Sequence, residues 1–142
     1  MKLVCHLLDS KGRDVVSIGP DASVLDAIRL MSDKGIGALI VMDGDELRGV
    51  VTERDYARKV ILKGRASDAT KVSEIMTTSV ISTSGGESIE KCMNTMTDER
   101  IRHLPVVDDG KICGIISIGD LVKAIIADQQ QAIEQLEHYI SG

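Results

Sequence analysis

The spacing of apolar residues predicts a short series of strands and helices in the first half of the chain. Apolar residues cluster at 15–18, 38–42 and 47–51 with turn residues between them, which is typical of β-strands. Residues 24–31 carry apolar side chains at i, i+3, i+4 and i+7, the spacing of a helix with one buried face. A second helix is expected at about residues 53–63. The predicted order is therefore βαββα.

The second half of the chain repeats the first. A shift of 65 residues places residues 15–61 over residues 80–126 without a gap, and 12 of these 47 positions are identical. In the first copy the identical residues are Val15, Ser17, Ser23, Met31, Asp33, Ile36, Leu39, Val41, Asp43, Gly49, Asp55 and Ile61. Duplication predicts an α+β fold of two tandem βαββα units. Two units packed through their sheets, with pseudo-twofold symmetry, would bury the apolar surface that one unit leaves open.

The repeat also predicts the domain boundaries. These are a first repeat with an N-terminal lead-in at 1–62, a linker at 63–71, a second repeat at 72–126 and a C-terminal helical extension at 127–142. Residues 4–8 resemble residues 72–76 at an offset of 68, so the first copy carries a three-residue insertion around residues 10–13. Each repeat is therefore preceded by a similar lead-in segment.

Composition narrows the possible functions. A formal net charge of −5 argues against a general nucleic-acid binder, which needs a cationic face to displace counterions from phosphates. With no Phe or Trp, the aromatic residues are Tyr56 and Tyr139, too few for a base-stacking platform. No apolar run is long enough for a membrane helix. The first residues do not resemble a secretory signal, so we expect a cytoplasmic protein without membrane contact.

Reactive side chains are few and widely spaced. The cysteines and histidines are Cys5, Cys92, Cys113, His6, His103 and His138. Their spacing matches no common metal motif, so we expect no metal site. No nucleophile-elbow, Walker or metalloprotease pattern is present either, and we expect no catalytic residues and no enzyme activity. A thiol sensor at Cys5 stays open as a weaker alternative.

Each predicted hairpin ends in the same short motif. Residues 49–55 read Gly-Val-Val-Thr-Glu-Arg-Asp, and residues 114–120 read Gly-Ile-Ile-Ser-Ile-Gly-Asp. A hydroxyl residue followed three positions later by an acid is a helix N-cap pattern, which is one interpretation. The other is ligand binding, because free amides at a helix start attract phosphate and a carboxylate accepts hydrogen bonds. The two roles are compatible.

Taken together, the duplicated βαββα pattern, Val72-Ser73-Glu74-Ile75-Met76-Thr77, the stretch Arg102 to Asp108 and the two terminal motifs resemble a stand-alone pair of CBS domains, or Bateman module. The resemblance covers residues 4–126. It implies regulatory binding of AMP, ADP, ATP, NAD(H) or S-adenosyl compounds in a cleft between the repeats, usually in a homodimer. Asp55 and Asp120 would then bind the ribose hydroxyls, and Thr52 and Ser117 the ribose or phosphate. The backbone at Ile36, Gly37, Ala38, Arg102, His103 and Leu104 would read the adenine edge, with Ser17, Ile18, Ser82 and Thr83 closing over the base.

The two copies differ in charge, and the last helix extends beyond the repeat. Arg54, Arg58 and Lys59 follow the first motif, where they could meet phosphate or simply form a solvated helix face. In the second copy Arg102 and His103 could play that part. The long apolar stripe from Val122 to Ile140 predicts a helical contact on this chain, on a second subunit or on another partner, and we favour a homodimer contact. The rival hypothesis is therefore a homodimeric interaction module with degenerate nucleotide sites and an unknown effector.

Overall fold

The computed structural model describes residues 2–141, which form two compact units. Val15–Val80 make up the first-repeat unit. The second-repeat unit contains the residues from Ile81 onward together with those up to Asp14. Met1 and Gly142, which fall within the predicted ranges 1–62 and 127–142, lie outside the described residues.

The mixed helix and strand content confirms the predicted α+β class. In chain order the elements are α1 (Val4–Lys11), β1 (Ser17–Ile18), α2 (Val24–Lys34), β2 (Ala38–Asp43), β3 (Glu46–Thr52), α3 (Glu53–Tyr56), α4 (Ile89–Glu99), β4 (His103–Asp108), β5 (Lys111–Ser117) and α5 (Ile118–Ser141). A π-helical turn, Ala57–Ile61, extends α3, so a helix does follow β3 as predicted. A 3₁₀ turn spans Val72–Glu74.

The last two strands of each repeat form an antiparallel hairpin, with one difference between the repeats. Strand β2 is antiparallel to β3 and parallel to β1, which gives the order β1-β2-β3. Strands β4 and β5 form the equivalent hairpin, with a bulge at the same position as in the first copy. The strand predicted at residues 80–83 is reduced to a single parallel bridge between Thr83 and Val106. The second sheet is therefore two-stranded.

The lead-in segment before each repeat packs into the core of the other repeat. The N-terminal helix α1 buries Val4 and Leu8 completely in the core of the second-repeat unit. The lead-in to the second repeat buries Val72 and Ile75 in the core of the first-repeat unit. Residues 1–14 were expected to belong to the first repeat because they adjoin it along the chain. Their apolar face is instead covered by the second-repeat core.

Backbone carbonyls just before these segments also satisfy helix starts. The first amides of a helix have no partner within the helix. In the first-repeat unit the amide of Val24 donates to the carbonyl of Thr70 at 2.8 Å, within the stretch predicted as a linker. In the second-repeat unit the amide of Ile89 donates to the carbonyl of Lys2 at 3.2 Å. The side chains of Ser23 and Ser88 cap the same two helices.

Helix α5 is continuous over 24 residues, from the end of β5 through the predicted extension. Near its start Leu121 is fully buried in the second-repeat core. Further along, apolar side chains stand in solvent: Ile126, Ile133, Leu136 and Ile140 are 54–74% exposed. The predicted helical extension is therefore present, and its apolar face is uncovered.

Candidate functional site

A hydroxyl and a carboxylate form a compact corner where β3 meets α3. Thr52 Oγ1 accepts a hydrogen bond from the amide of Asp55 at 3.1 Å, and Asp55 Oδ2 accepts one from the amide of Thr52 at 3.0 Å. This reciprocal pair is a capping box. Lys59, one turn further on, places Nζ 3.1 Å from Asp55 Oδ1. The cap interpretation of the motif is thus confirmed, and the carboxylate that it fixes is only 13% exposed.

The equivalent corner in the second-repeat unit has the same cap, but its lysine comes from a distant part of the chain. Asp120 donates its amide to Ser117 Oγ at 3.1 Å and accepts the amide of Ser117 at 2.8 Å. The ammonium group beside Asp120 belongs to Lys11 of α1, whose Nζ lies 2.7 Å from Oδ2. Although burial of this carboxyl raises its pKa, the hydrogen bonds from Lys11 and Ser117 outweigh that effect. The pKa of Asp120 is therefore below its ordinary value, and the group is ionised at neutral pH.

In both units the corner adjoins the turn that leads into the preceding strand. The amide of Glu53 donates to the carbonyl of Gly37 at 3.1 Å, and Ala38 pairs with Thr52 across the hairpin. Ile118 donates to the carbonyl of Arg102 at 2.9 Å in the same way. The equivalent cross-strand pair is His103 with Ser117. Each predicted set of backbone positions thus lies beside the hydroxyl and carboxylate of its own repeat.

At three of these backbone positions the side chain packs in or against a core. Ala38 and Leu104 are 4% and 0% exposed and belong to the cores. Ile36 is partly buried and packs on the first-repeat core. The side chains of these three positions therefore pack in the cores, and the adenine-reading role of the backbone stays a prediction.

The residues proposed to close over the base lie further along the sheets. Ser17 and Ile18 pair with Ile40 and Val41, two and three positions beyond Ala38. Ile18 packs against the first-repeat core, while Ser17 is exposed.

In the second-repeat unit, Thr83 turns its hydroxyl toward α4. Its Oγ1 lies 3.3 Å from Cys92 Sγ, and both Thr83 and Ser82 line an open pocket of ≈ 370 Å³ against that helix. Neither Ser117 nor Asp120 lines this pocket.

Of the cations singled out by the sequence, Lys59 has a structural task. Its Nζ bonds to Asp55 and donates to the carbonyl of Ile75 at 2.8 Å. Arg54 and His103 each interact with other groups, and Arg58 is exposed. Sequence reasoning missed Lys11, because 109 residues separate it from Asp120. The i, i+4 spacing of Asp55 and Lys59 was the available signal for the other pair.

The described residues provide no group of three or more His, Cys, Asp or Glu side chains that could hold a metal ion. Cys92 and Cys113 have thiol pKa values raised chiefly by burial, which disfavours the reactive thiolate. Cys5 is partly exposed, and the thiol-sensor hypothesis at that position stays a prediction.

These features define a duplicated α+β module with one capped hydroxyl–carboxylate corner in each repeat. The family model for the CBS domain matches residues 11–62 and again residues 72–127. The chain belongs to the CBS domain family and carries a pair of these domains, as the resemblance implied. A mitochondrial CBS domain-containing protein of Arabidopsis thaliana, CBSX3, is 41% identical over 127 residues. That match covers 86% of this chain, which spans 62% of the length of the Arabidopsis relative.

Solved structures show the same fold. A CBS-domain protein from Burkholderia ambifaria is 53% identical, with a TM-score of 0.88, over 90% of this chain and 96% of that one. The CBS domain pair of protein MJ0100, solved with 5′-methylthioadenosine and S-adenosyl-L-methionine, has a TM-score of 0.80 at 24% identity, over 90% of this chain and 98% of that one. Among residues 2–141, no helix is both long and apolar enough to cross a bilayer. The cytoplasmic location stays a prediction.

Proposed function

We propose that the chain is a regulatory, non-catalytic module that binds an adenosine nucleotide, either AMP, ADP or ATP or else NAD(H), at the corners of its repeats. In this proposal Asp55 and Asp120 accept hydrogen bonds from ribose hydroxyls, and Thr52 and Ser117 contact ribose or phosphate. The MJ0100 domain pair binds two adenosine compounds, which supports the ligand class but not a particular nucleotide.

The observation that carries the proposal is the recurrence of one arrangement in both units. An ionised carboxylate only accepts hydrogen bonds, and the cis-diol of a ribose offers two adjacent donors. Helix capping alone would explain each corner separately. It does not require a partly buried carboxylate next to the turn at Gly37 or Arg102. A lysine beside each carboxylate adds positive charge suited to phosphate.

The proposal includes a homodimer and an effector that responds to it. Oligomers occur among proteins of similar fold. A CBS-CP12 protein from bloom-forming cyanobacteria is hexameric. It is 30% identical with a TM-score of 0.75, over 86% of this chain and 70% of that one. The exposed apolar face of α5 favours an assembly role for this chain as well. If both corners fail to bind nucleotide, the chain is instead an interaction module with degenerate sites.

Calorimetry on the purified chain tests the ligand assignment. A panel of AMP, ADP, ATP, NADH and S-adenosylmethionine first identifies which compound binds the wild type. Asp55→Asn and Asp120→Asn should each weaken its binding by about ten- to a hundredfold where that corner is occupied, because a charge-assisted hydrogen bond is lost. Asparagine retains an acceptor for the cap, so the helix start is preserved.

Cap-loss variants distinguish binding from stability. Ser23→Ala and Ser88→Ala remove a helix cap in the same two units without touching the corners, and should leave the affinity unchanged. Wild-type affinity in both aspartate variants would refute the ribose assignment. Failure of every compound to bind the wild type would refute the nucleotide proposal and favour the interaction module.

A further inference from the structure

The end of α5 presents an apolar face together with negative charge. Ile133, Leu136 and Ile140 are 56%, 59% and 74% exposed and recur at helical spacing along one side. Residues 126–141, called here the acidic tail, contain three acids and neither Lys nor Arg. The acids are Asp128, Glu134 and Glu137. Such a surface matches a partner that is apolar and basic.

A surface of that kind exists on the first-repeat unit. Residues 57–63, called here the basic helix end, expose Ile61 by 56% and Leu62 by 76%. Arg58 and Lys63 flank them, are exposed, and form no ion pair with any residue from 2 to 141. Ile61 and Ile126 occupy equivalent positions of the two repeats and are exposed to nearly the same extent, 56% and 54%. The helix that ends each repeat thus leaves the same position uncovered.

We infer that the acidic tail of one copy packs on the basic helix end of a second copy. This inference rests on the proposed homodimer and specifies its contact. In a twofold dimer each copy supplies one acidic tail and one basic helix end, so the contact forms twice. The tail of about 16 residues is about 24 Å long at 1.5 Å per residue. Glu134 and Glu137 then face Arg58 and Lys63 at the rim of an apolar contact.

A pairing of two acidic tails is the obvious alternative, and charge disfavours it. Two copies of residues 126–141 would bring Glu134 and Glu137 of both chains together with no Lys or Arg in the segment, while Asp128 is already paired with Lys2. Like charges at an interface are destabilising, whereas the opposite charges of the proposed contact are complementary. The tail-to-tail arrangement also leaves Ile61 and Leu62 uncovered.

Charge reversal tests the contact on the full chain. The tail variant is Glu134→Lys/Glu137→Lys, and the helix-end variant is Arg58→Glu/Lys63→Glu. Each should raise the dimer Kd by about tenfold or more in sedimentation equilibrium at low salt. The matched control, Asp98→Lys/Glu99→Lys, reverses two exposed acids at the end of α4 and should leave the dimer Kd unchanged.

Mixing the two variants gives the sharper result. In the mixed dimer one contact joins a basic tail to an acidic helix end, and the other contact is wild type. An equimolar mixture should therefore dimerise as the wild type does, although neither variant does so alone. An intact dimer of the helix-end variant alone, or no recovery in the mixture, would overturn the contact while the homodimer stands. A monomeric wild type would overturn both, and nucleotide affinity is measured separately by calorimetry.

Discussion

Two equivalent glycines provide a stringent test of the exchanged lead-in segments. Gly49 and Gly114 occupy the same position of β3 and β5, and each is approached by the lead-in that packs on its unit. A Cβ added at Gly49 would lie 2.6 Å from the carbonyl oxygen of Thr77. A Cβ added at Gly114 would lie 2.7 Å from Cδ2 of Leu8. The first clash is with backbone and the second with the end of a side chain.

The backbone clash should cost more. The carbonyl of Thr77 accepts the amide of Val50 at 3.0 Å, and the Thr77 amide donates back at 2.9 Å. Moving this carbonyl strains a paired bridge, with each bond worth about 1 kcal/mol. Overpacking costs about 1–3 kcal/mol, so we expect Gly49→Ala to lower the free energy of unfolding by about 3 kcal/mol. For Gly114→Ala, where a leucine end can rotate, we expect about 1 kcal/mol.

Urea unfolding of the two variants measures the difference, and a double-mutant cycle tests its cause. Leu8→Ala removes the atoms that the new methyl group would meet, so Gly114→Ala in that background should be neutral or stabilising. No such substitution relieves Gly49→Ala, because the obstacle is backbone. Equal losses at the two glycines, or an effect of Gly114→Ala that is the same with and without Leu8→Ala, would refute the account of the lead-in contacts.

Two further predictions concern the corners and the caps. Lys11→Met should lower the free energy of unfolding by about 1 kcal/mol at neutral pH, since it removes a half-buried ion pair. Because the pKa of Asp120 is lowered in the folded state, this stabilisation is complete above the ordinary value of 3.8 and is lost as the pH falls through the folded-state pKa. A stability difference between Lys11→Met and the wild type that persists in strong acid would contradict this prediction. Ser23→Ala and Ser88→Ala should each cost about 1 kcal/mol in thermal or urea unfolding, and a negligible cost would show that the amides of Asp26 and Lys91 do not need these caps.

Local pattern predicted the elements and the corners because their physics is local. The i, i+3 spacing of a cap, the apolar face of α2 and the turn between β4 and β5 are all fixed within a few residues. Duplication then doubled the evidence, since each element could be checked against its equivalent. A strand was predicted at residues 80–83, but the structure has only a single bridge at Thr83. Whether such a segment pairs over several residues depends on its neighbours and not on its own sequence.

The exchange of lead-ins and the lysine beside Asp120 could not be predicted in that way. The sequence of a lead-in helix does not show whether the helix will pack on the first repeat or on the second. Lys11 reaches Asp120 because α1 packs on the second repeat. The first repeat has Lys59 one turn beyond Asp55, whereas the equivalent position of the second repeat is Ala124. In the second repeat the lysine beside the aspartate therefore comes from α1 and not from the helix that carries the aspartate.

The recurring glycine shows that an internal identity can have a packing cause. Gly49 and Gly114 begin the two motifs for which ligand binding is one interpretation. Their neighbours are instead Thr77 and Leu8, residues of the lead-ins. Recurrence only reports that both copies meet the same constraint, and close packing is as demanding as ligand binding. Asp55 and Asp120 also recur, and both cap the start of a helix. A loss of nucleotide affinity in Asp55→Asn and Asp120→Asn is therefore the result that distinguishes a ribose contact from a cap alone.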